Sequence, residues 1–397
     1  MGLMSIRKRI VVDVALAQPT REKFHGGGEY VHIVAERLAE SLGSAMTIAI
    51  DGSRPLGPRL TSLLSNGVET TGISDAADLQ SLMDSGTCSV YFAPLTRPFQ
   101  ALVDYKDTTF MFVRHGLRFQ EVYNDPLRIP LASGLRDKIR ELVKYVSWNA
   151  YVRRDYARNE AFFKNDAGIA IAVTNHTASA MQLAYPHINS ERVHILYPPL
   201  NFIPSEIDLA TAWDRLQANL GLHSRRFFLF TGVRRWIKNP IRLRRALSIY
   251  ARSIPDITDV IALGSSKREE ERIGRVTFRS LPYVGREELI ALYRHAYCLL
   301  YPTLNEGFGY PPVEAMQQGT PAIVGANSSL FEVCENAALY ADPHSPLEIA
   351  TRMHQLERDH QLYQRLQEAS TRRGRALATR QKADLTRLVN FVSDLAT

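Results

Sequence analysis

The sequence predicts an α/β protein of two domains, each a parallel sheet covered by helices. Three observations carry that expectation. Short apolar runs alternate with helical segments, the order in which parallel strands are joined by crossover helices. The alternation breaks at Tyr197-Pro198-Pro199 and restarts at Phe227. And 397 residues are long for one core but comfortable for two.

Composition narrows the class. A hydrophobic share of 45% with 22% charged residues describes an ordinary globular protein, not a disordered one. No apolar run approaches the roughly 18 residues that span a bilayer. The amino-terminal MGLMSIRKRI lacks the apolar stretch and cleavage site of a signal peptide, and Ile6 breaks the myristoylation pattern. Cys88, Cys298 and Cys334 are too scattered for a metal or disulfide framework, which favours a reducing cytosol. The net charge of +7 suits anionic lipid or phosphorylated small molecules. Nucleic acid is not expected, because no reader motif or interleaving of basic and aromatic residues is present.

In the first half, residues 10–14 read as a buried strand. A loop with Phe24, His25, Gly26, Gly27 and Gly28 follows, then an amphipathic helix over about 30–42. Consecutive glycines let a ligand approach the backbone. The run 25–28 also looks like a hydrolase oxyanion loop, but no G-x-S-x-G nucleophile turn accompanies it. Further strands are expected at 46–50, 89–92 and 109–113, the last leading into His115 and Gly116. Ligands of open parallel sheets sit beyond the carboxyl ends of strands, which puts His115 where chemistry would be.

Residues 135–163 read as one or two helices. Leu135, Ile139, Leu142, Val143 and Val146 make an apolar stripe, with Arg136, Lys138, Arg140 and Lys144 mostly off it. Such a helix either packs on the sheet with its basic face in solvent or lies on an anionic membrane. Strands at 168–173 and 193–196 close the half, with Thr174 to Thr177 suited to cap a helix. Residues to about 224 are expected to connect the domains.

The second half brings a strand at 227–230, then Gly232, Arg234, Arg235 and Lys238, and a helix over 241–251. A strand at 260–263 ends at Gly264, and a helix over 286–295 follows Tyr283-Val284-Gly285. The stretch 297–324 organises the rest. It reads as strand, glycine loop, helix and strand, with Glu306, Gly307, Phe308 and Gly309 in the loop and Tyr310, Pro311 and Pro312 opening the helix. A helix N-terminus there offers N–H groups and partial positive charge to an anion. Glu306 lies before the helix and Glu314 is expected in its first turn. Phosphate at one end with hydroxyls to either side describes a nucleotide-sugar. From 345 onward the chain reads as helical.

The glutamates of EGFGYPPVE, separated by seven residues, and the block YVGREELIALYRHAYCLLYPTLNEGFGYPPVEAMQQGTPAI around them resemble the donor domain of retaining GT-B glycosyltransferases of family four. Gly232 with Arg234 and Lys238 resembles that family's basic cluster. The Gly26–Gly28 loop, His115-Gly116 and VTNHT at Val173 to Thr177 match more loosely. The resemblance implies two Rossmann-like α/β/α domains facing each other across a cleft: an acceptor-side domain over 1–205, a donor domain over 206–375, and a terminal helix over 376–397 packing back on the first. It implies that Glu306 contacts donor-sugar hydroxyls, Glu314 the ribose, and Gly307, Phe308, Gly309, Tyr310 and Gly264 the donor. It places His115 beside the sugar and Gly26, Gly27 and Gly28 near phosphate or acceptor.

With no D-x-D motif, Lys238 and Arg234, or Arg235 in its place, would balance the departing diphosphate without a metal. No cofactor is then expected beyond the nucleotide diphosphate-sugar donor. The expected activity is retaining transfer of a hexose, mannose or a related sugar by preference, to a glycan or lipid-linked glycan in cell-surface polysaccharide synthesis. The expected place is the cytoplasm, peripherally at the inner face of the cell membrane. A sugar-nucleotide epimerase and a non-catalytic nucleotide-sugar-binding relative are the alternatives.

Overall fold

The computed structural model describes residues 9–19, 26–164, 168–200, 209–220, 226–253, 255–257 and 259–395. Expectations placed on Phe24 and His25 lie outside that set. The chain forms two units. One comprises Met1–Gln120, Val152–Asn201 and Arg380–Thr397; the other comprises Glu121–Tyr151 and Phe202–Thr379.

The first unit holds seven strands: β1 (Arg9–Asp13), β2 (Met46–Ile50), β3 (Glu69–Gly72), β4 (Cys88–Ala93), β5 (Thr109–Arg114), β6 (Gly168–Ala172) and β7 (Val193–Ile195). They lie in the order β3-β2-β1-β4-β5-β6-β7, and every pairing is parallel. The core runs through Tyr91, Phe110, Phe112 and Phe162, all buried. A parallel sheet covered on both faces must be apolar on both, as β4 is from Val90 to Ala93. The terminal helix His360–Asp394 ends in this unit. There Gln381 donates to the Pro198 carbonyl at 2.6 Å, and Asp384 accepts from the Tyr197 N–H at 2.9 Å.

The second unit also holds seven strands: β8 (Phe227–Thr231), β9 (Asp259–Leu263), β10 (Glu269–Ile273), β11 (Val276–Leu281), β12 (Cys298–Tyr301), β13 (Ala322–Gly325) and β14 (Ala338–Ala341). Their order is β10-β11-β9-β8-β12-β13-β14, and only the edge strand β10 runs antiparallel. The chain goes from β8 to one side and returns at β12 to the other. That is the switch point at which ligands bind in open α/β sheets.

Two expectations meet a different outcome here. The glycines at 26–28 are not a loop before a helix; they are the first turn of the helix Gly26–Leu42. And 135–163 is two helices, Leu135–Val146 and Trp148–Phe163, of which the first does not turn its apolar stripe onto a sheet. Leu135, Ile139, Leu142, Val143 and Val146 are all exposed.

Candidate active site

The loop after β8 turns sharply because Gly232 takes φ 85°, which lets its N–H and that of Val233 both donate to the Leu263 carbonyl. A Cβ on Gly232 would stand 2.8 Å from Lys238 Cγ and 3.8 Å from Arg235 Cδ, so this turn lies directly against both basic side chains. A short helical turn, Trp236–Lys238, carries Lys238 inward, and Pro240 then opens the helix Pro240–Tyr250.

The loop after β12 is zipped to it. Leu304 N–H and the Thr303 hydroxyl both donate to the Ile237 carbonyl, at 2.8 and 2.9 Å. The Asn239 amide donates to the Pro302 carbonyl at 3.0 Å. Behind the zipper, Val122 packs with Ile237 and Leu304.

Lys238 and Glu306 are thereby brought together. Lys238 Nζ lies 2.5 Å from Glu306 Oε1, with the side chains only 7% and 12% exposed. Lys238 also donates to the Tyr301 hydroxyl, and its ammonium stands 4.5 Å from the centroid of that ring. Thr303 Oγ1 also lies 2.9 Å from the same glutamate oxygen, its one proton shared between that carboxylate and the Ile237 carbonyl. Burial, then the Glu306 charge, pushes the Tyr301 phenol well above its ordinary range, so it stays protonated. Arg235 opposes that rise, which places its charge within reach of Tyr301.

Glu314 has its own pair of partners. Arg286 forms an ion pair with it and Tyr293 donates its hydroxyl at 3.0 Å. The Tyr293 phenol is held well above its ordinary range, by burial first and by Glu314 next. Its electrostatic effect also reaches Tyr301, so the two clusters are neighbours. Glu314 is the fifth residue of the helix Tyr310–Gln317, just past the first turn where it was expected.

The glycine loop is fixed from beneath. Glu306 N–H donates to Ser328 Oγ and Ser329 Oγ donates to the Glu306 carbonyl, both at 2.9 Å. Buried Phe308 meets Tyr310 edge-on at 5.6 Å. Gly309 caps the helix at φ 96°, where a Cβ would lie 2.9 Å from Leu330. Because Pro311 and Pro312 follow Tyr310, two of the first three helical residues have no N–H. Pro311 and Pro312 therefore offer an anion at this end no donor of their own. Gly264, at φ 96° after β9, has the Tyr283 ring 3.1 Å from the place of a Cβ.

His115, Gly26, Gly27 and Gly28 belong to the first unit. His115 Nε2 is 3.0 Å from the Pro94 carbonyl, and its ring stands edge-on to Tyr30 at 5.0 Å, on the helix that the glycines open. Reading the sequence for charge missed Tyr301, Tyr293 and Arg286, and missed Thr303 and Ser328. A tyrosine ending a buried strand, and another inside a helix, give no pattern that separates them from core.

The comparisons with known proteins decide the class of the second unit. The family model described as glycosyl transferases group 1 matches residues 214–373. That match lies within the second unit. The chain is 49% identical over 69 residues to O-antigen chain mannosyltransferase RfbU of Salmonella typhimurium, covering 17% of this chain and 19% of that protein. It is 31% identical over 175 residues to D-inositol 3-phosphate glycosyltransferase of Mycobacterium sp. strain KMS, covering 40% and 37%. These matches thus span under two fifths of the relatives' length. Among solved structures, a glycosyltransferase from Rickettsia africae superposes with a TM-score of 0.68 at 13% identity, over 98% of both chains. HepE of Anabaena, solved in complex with UDP, superposes with a TM-score of 0.65 at 14% identity, over 98% of this chain and all of that one. At such identities the likeness is one of fold, and the fold is GT-B.

Proposed function

We propose that the protein is a retaining, metal-independent hexosyltransferase that uses a nucleotide diphosphate-sugar, with mannose or a related hexose as the preferred sugar. The observation that carries this is the buried Lys238–Glu306 pair at the switch point of the group 1 domain. The ammonium is pinned by a protonated phenol, and the carboxylate is oriented by Thr303. A sugar diphosphate entering there meets a cation for the leaving phosphate and an acceptor for sugar hydroxyls, both held before binding. Preorganised charge of this kind acts on the developing negative charge without reorganisation.

Arg235, with Arg234 beside it, adds charge for the diphosphate, and backbone of Gly307 to Tyr310 and Gly264 approaches the donor. Glu314, pinned by Arg286 and Tyr293, accepts from the ribose diol. In the first unit, His115 and the Gly26–Gly28 turn are the candidate ligand-binding residues. The acceptor's proton passes to the departing phosphate during front-face attack, so catalysis is positioning and electrostatics. The O-antigen relatives support mannose and a glycan or lipid-linked glycan acceptor of the cell surface. The same acceptor class supports a cytoplasmic enzyme working at the inner face of the membrane.

The test is a screen of UDP-, GDP- and dTDP-sugars for protection against thermal unfolding. A donor at a hundredfold excess over its Kd stabilises by about 2.7 kcal/mol. The protecting donor is then incubated with lipid-linked glycan in the presence of a chelator, and the product's anomeric configuration is read by NMR. Transfer with the donor's configuration kept is the expected result. Inversion, loss of transfer on chelation, or donor turnover without any transfer overturns the reading.

A further inference from the structure

The helix Leu135–Val146 is seated the wrong way round for a helix of a globular core. Its five apolar residues are between 49% and 79% exposed. At about 100° per residue they share one face, roughly a third of the circumference. The opposite side holds the helix down. Glu141 is 16% exposed and pairs with Lys144 at 2.8 Å and with buried Arg128 at 3.6 Å. Arg128 lies over the Trp148 ring at 4.6 Å, and the Tyr145 carbonyl accepts from Asn124 at 2.8 Å. Asp137, on the same side, accepts from Ser133. Polar groups face the protein and apolar groups face away from it.

Charge says what covers the outer face. Lys138 borders it on one side and Arg136 on the other, with Arg140 beyond, and all three are exposed. Neither acid of the helix borders the apolar face: Glu141 is turned to the protein side, and Asp137, on the side away from that face, pairs with Arg140 at 3.0 Å, which leaves Arg136 and Lys138 as the bordering charges. A second copy of the chain would bring cations against cations with no acid at the border to answer them. An anionic bilayer answers them with phosphates while its acyl boundary takes the apolar side chains. Among the described residues no helix is long and apolar enough to cross a membrane, so the contact is made in the interface plane.

We propose that the helix Leu135–Val146 is an interfacial anchor that lays its apolar face into an anionic lipid surface. This gives the membrane location proposed above a specific element. Its test needs neither donor nor acceptor, so its failure leaves the glycosyltransfer reading standing.

The full chain is sedimented with phosphatidylcholine vesicles with and without phosphatidylglycerol, at low and high salt. The wild type pellets with the anionic vesicles. Ile139→Glu/Leu142→Glu, on exposed positions, keeps its melting curve and loses binding at least about tenfold. Arg136→Glu/Lys138→Glu weakens binding roughly tenfold or more and removes most of its salt dependence. A wild type that stays in the supernatant overturns the proposal. So does unchanged binding of Ile139→Glu/Leu142→Glu. A dimer in gel filtration that this variant dissolves, with no vesicle binding by the wild type, would assign the face to a second copy instead.

Discussion

Lys238 and Glu306 form a buried ion pair across two loops of one sheet, the ammonium 2.5 Å from the carboxylate and both side chains largely out of water. Breaking such a pair from one side leaves an uncompensated charge, at a cost of about 3 kcal/mol or more, whereas removing both charges costs less. Lys238→Met should therefore lower stability by about that amount, and Lys238→Met/Glu306→Gln should recover much of it. Urea denaturation of the four members of the cycle checks this; additive losses would show that the two groups are not coupled. Turnover should fall in every variant, by about 2–4 kcal/mol of transition-state stabilisation for Lys238 alone.

Gly232→Ala combines a positive φ with a Cβ that would stand 2.8 Å from Lys238 Cγ. Strain of this kind costs about 1–3 kcal/mol, and the displaced lysine should reduce kcat beyond what the lower melting temperature explains. Gly86→Ala is the matched control, since Gly86 also has positive φ but nothing lies within 4 Å of its Cβ position. It should cost stability and leave kcat unchanged.

Asp125 holds Arg242 through two hydrogen bonds, at 2.8 and 3.2 Å, and both residues are buried. Asp125→Ala leaves that guanidinium with Asn239 and Tyr123 alone. The expected loss is about 3–5 kcal/mol, with the segment Glu121–Tyr151 becoming the first site of limited proteolysis. Unchanged protease resistance would show that the segment is held by other contacts.

Three histidines lie below the ordinary value of 6.5, in each case through burial first and a neighbouring arginine after it: His194 beside Arg387, His295 beside Arg294 and His344 beside Arg242. Below about pH 6.5 the unfolded chain then binds more protons than the folded one, so stability falls as pH drops through that value. Thermal midpoints across this range should show the decline, and His344→Gln should flatten it. A midpoint that rises on acidification over the same window would contradict the assignment.

The alternation of apolar runs with helical segments made the inner strands legible, and β2 and the helix Arg286–His295 fall where that pattern puts them. The strands at the sheet margins did not show. β3 reads ETTG and β10 reads EEERI, nearly all exposed, so neither carries the apolar run by which a buried strand is recognised. At the candidate site, Glu306 and Lys238 stand out in the sequence because carboxylates and cations at loop positions have few structural reasons to be there, whereas Arg286, opening a helix, does not. Tyr301 and Tyr293 do not either, because a buried tyrosine looks the same whether its hydroxyl serves the core or a carboxylate. The helix Leu135–Val146 shows the other limit: periodicity finds an apolar face but says nothing about which way it points.

The chain's route between its two units has a consequence for how such proteins can be recombined. Residues Glu121–Tyr151 are counted with the second unit although they are encoded ahead of the last strands of the first. A donor module cut at the linker near residue 206 would leave behind Val122, which fills the space behind Ile237 and Leu304, and Asp125, the counter-charge of Arg242. A chimera joined at that single seam inherits an orphaned arginine and a hole behind Ile237, the neighbour of Lys238. Swaps that also carry 121–151 keep the exchanged unit whole.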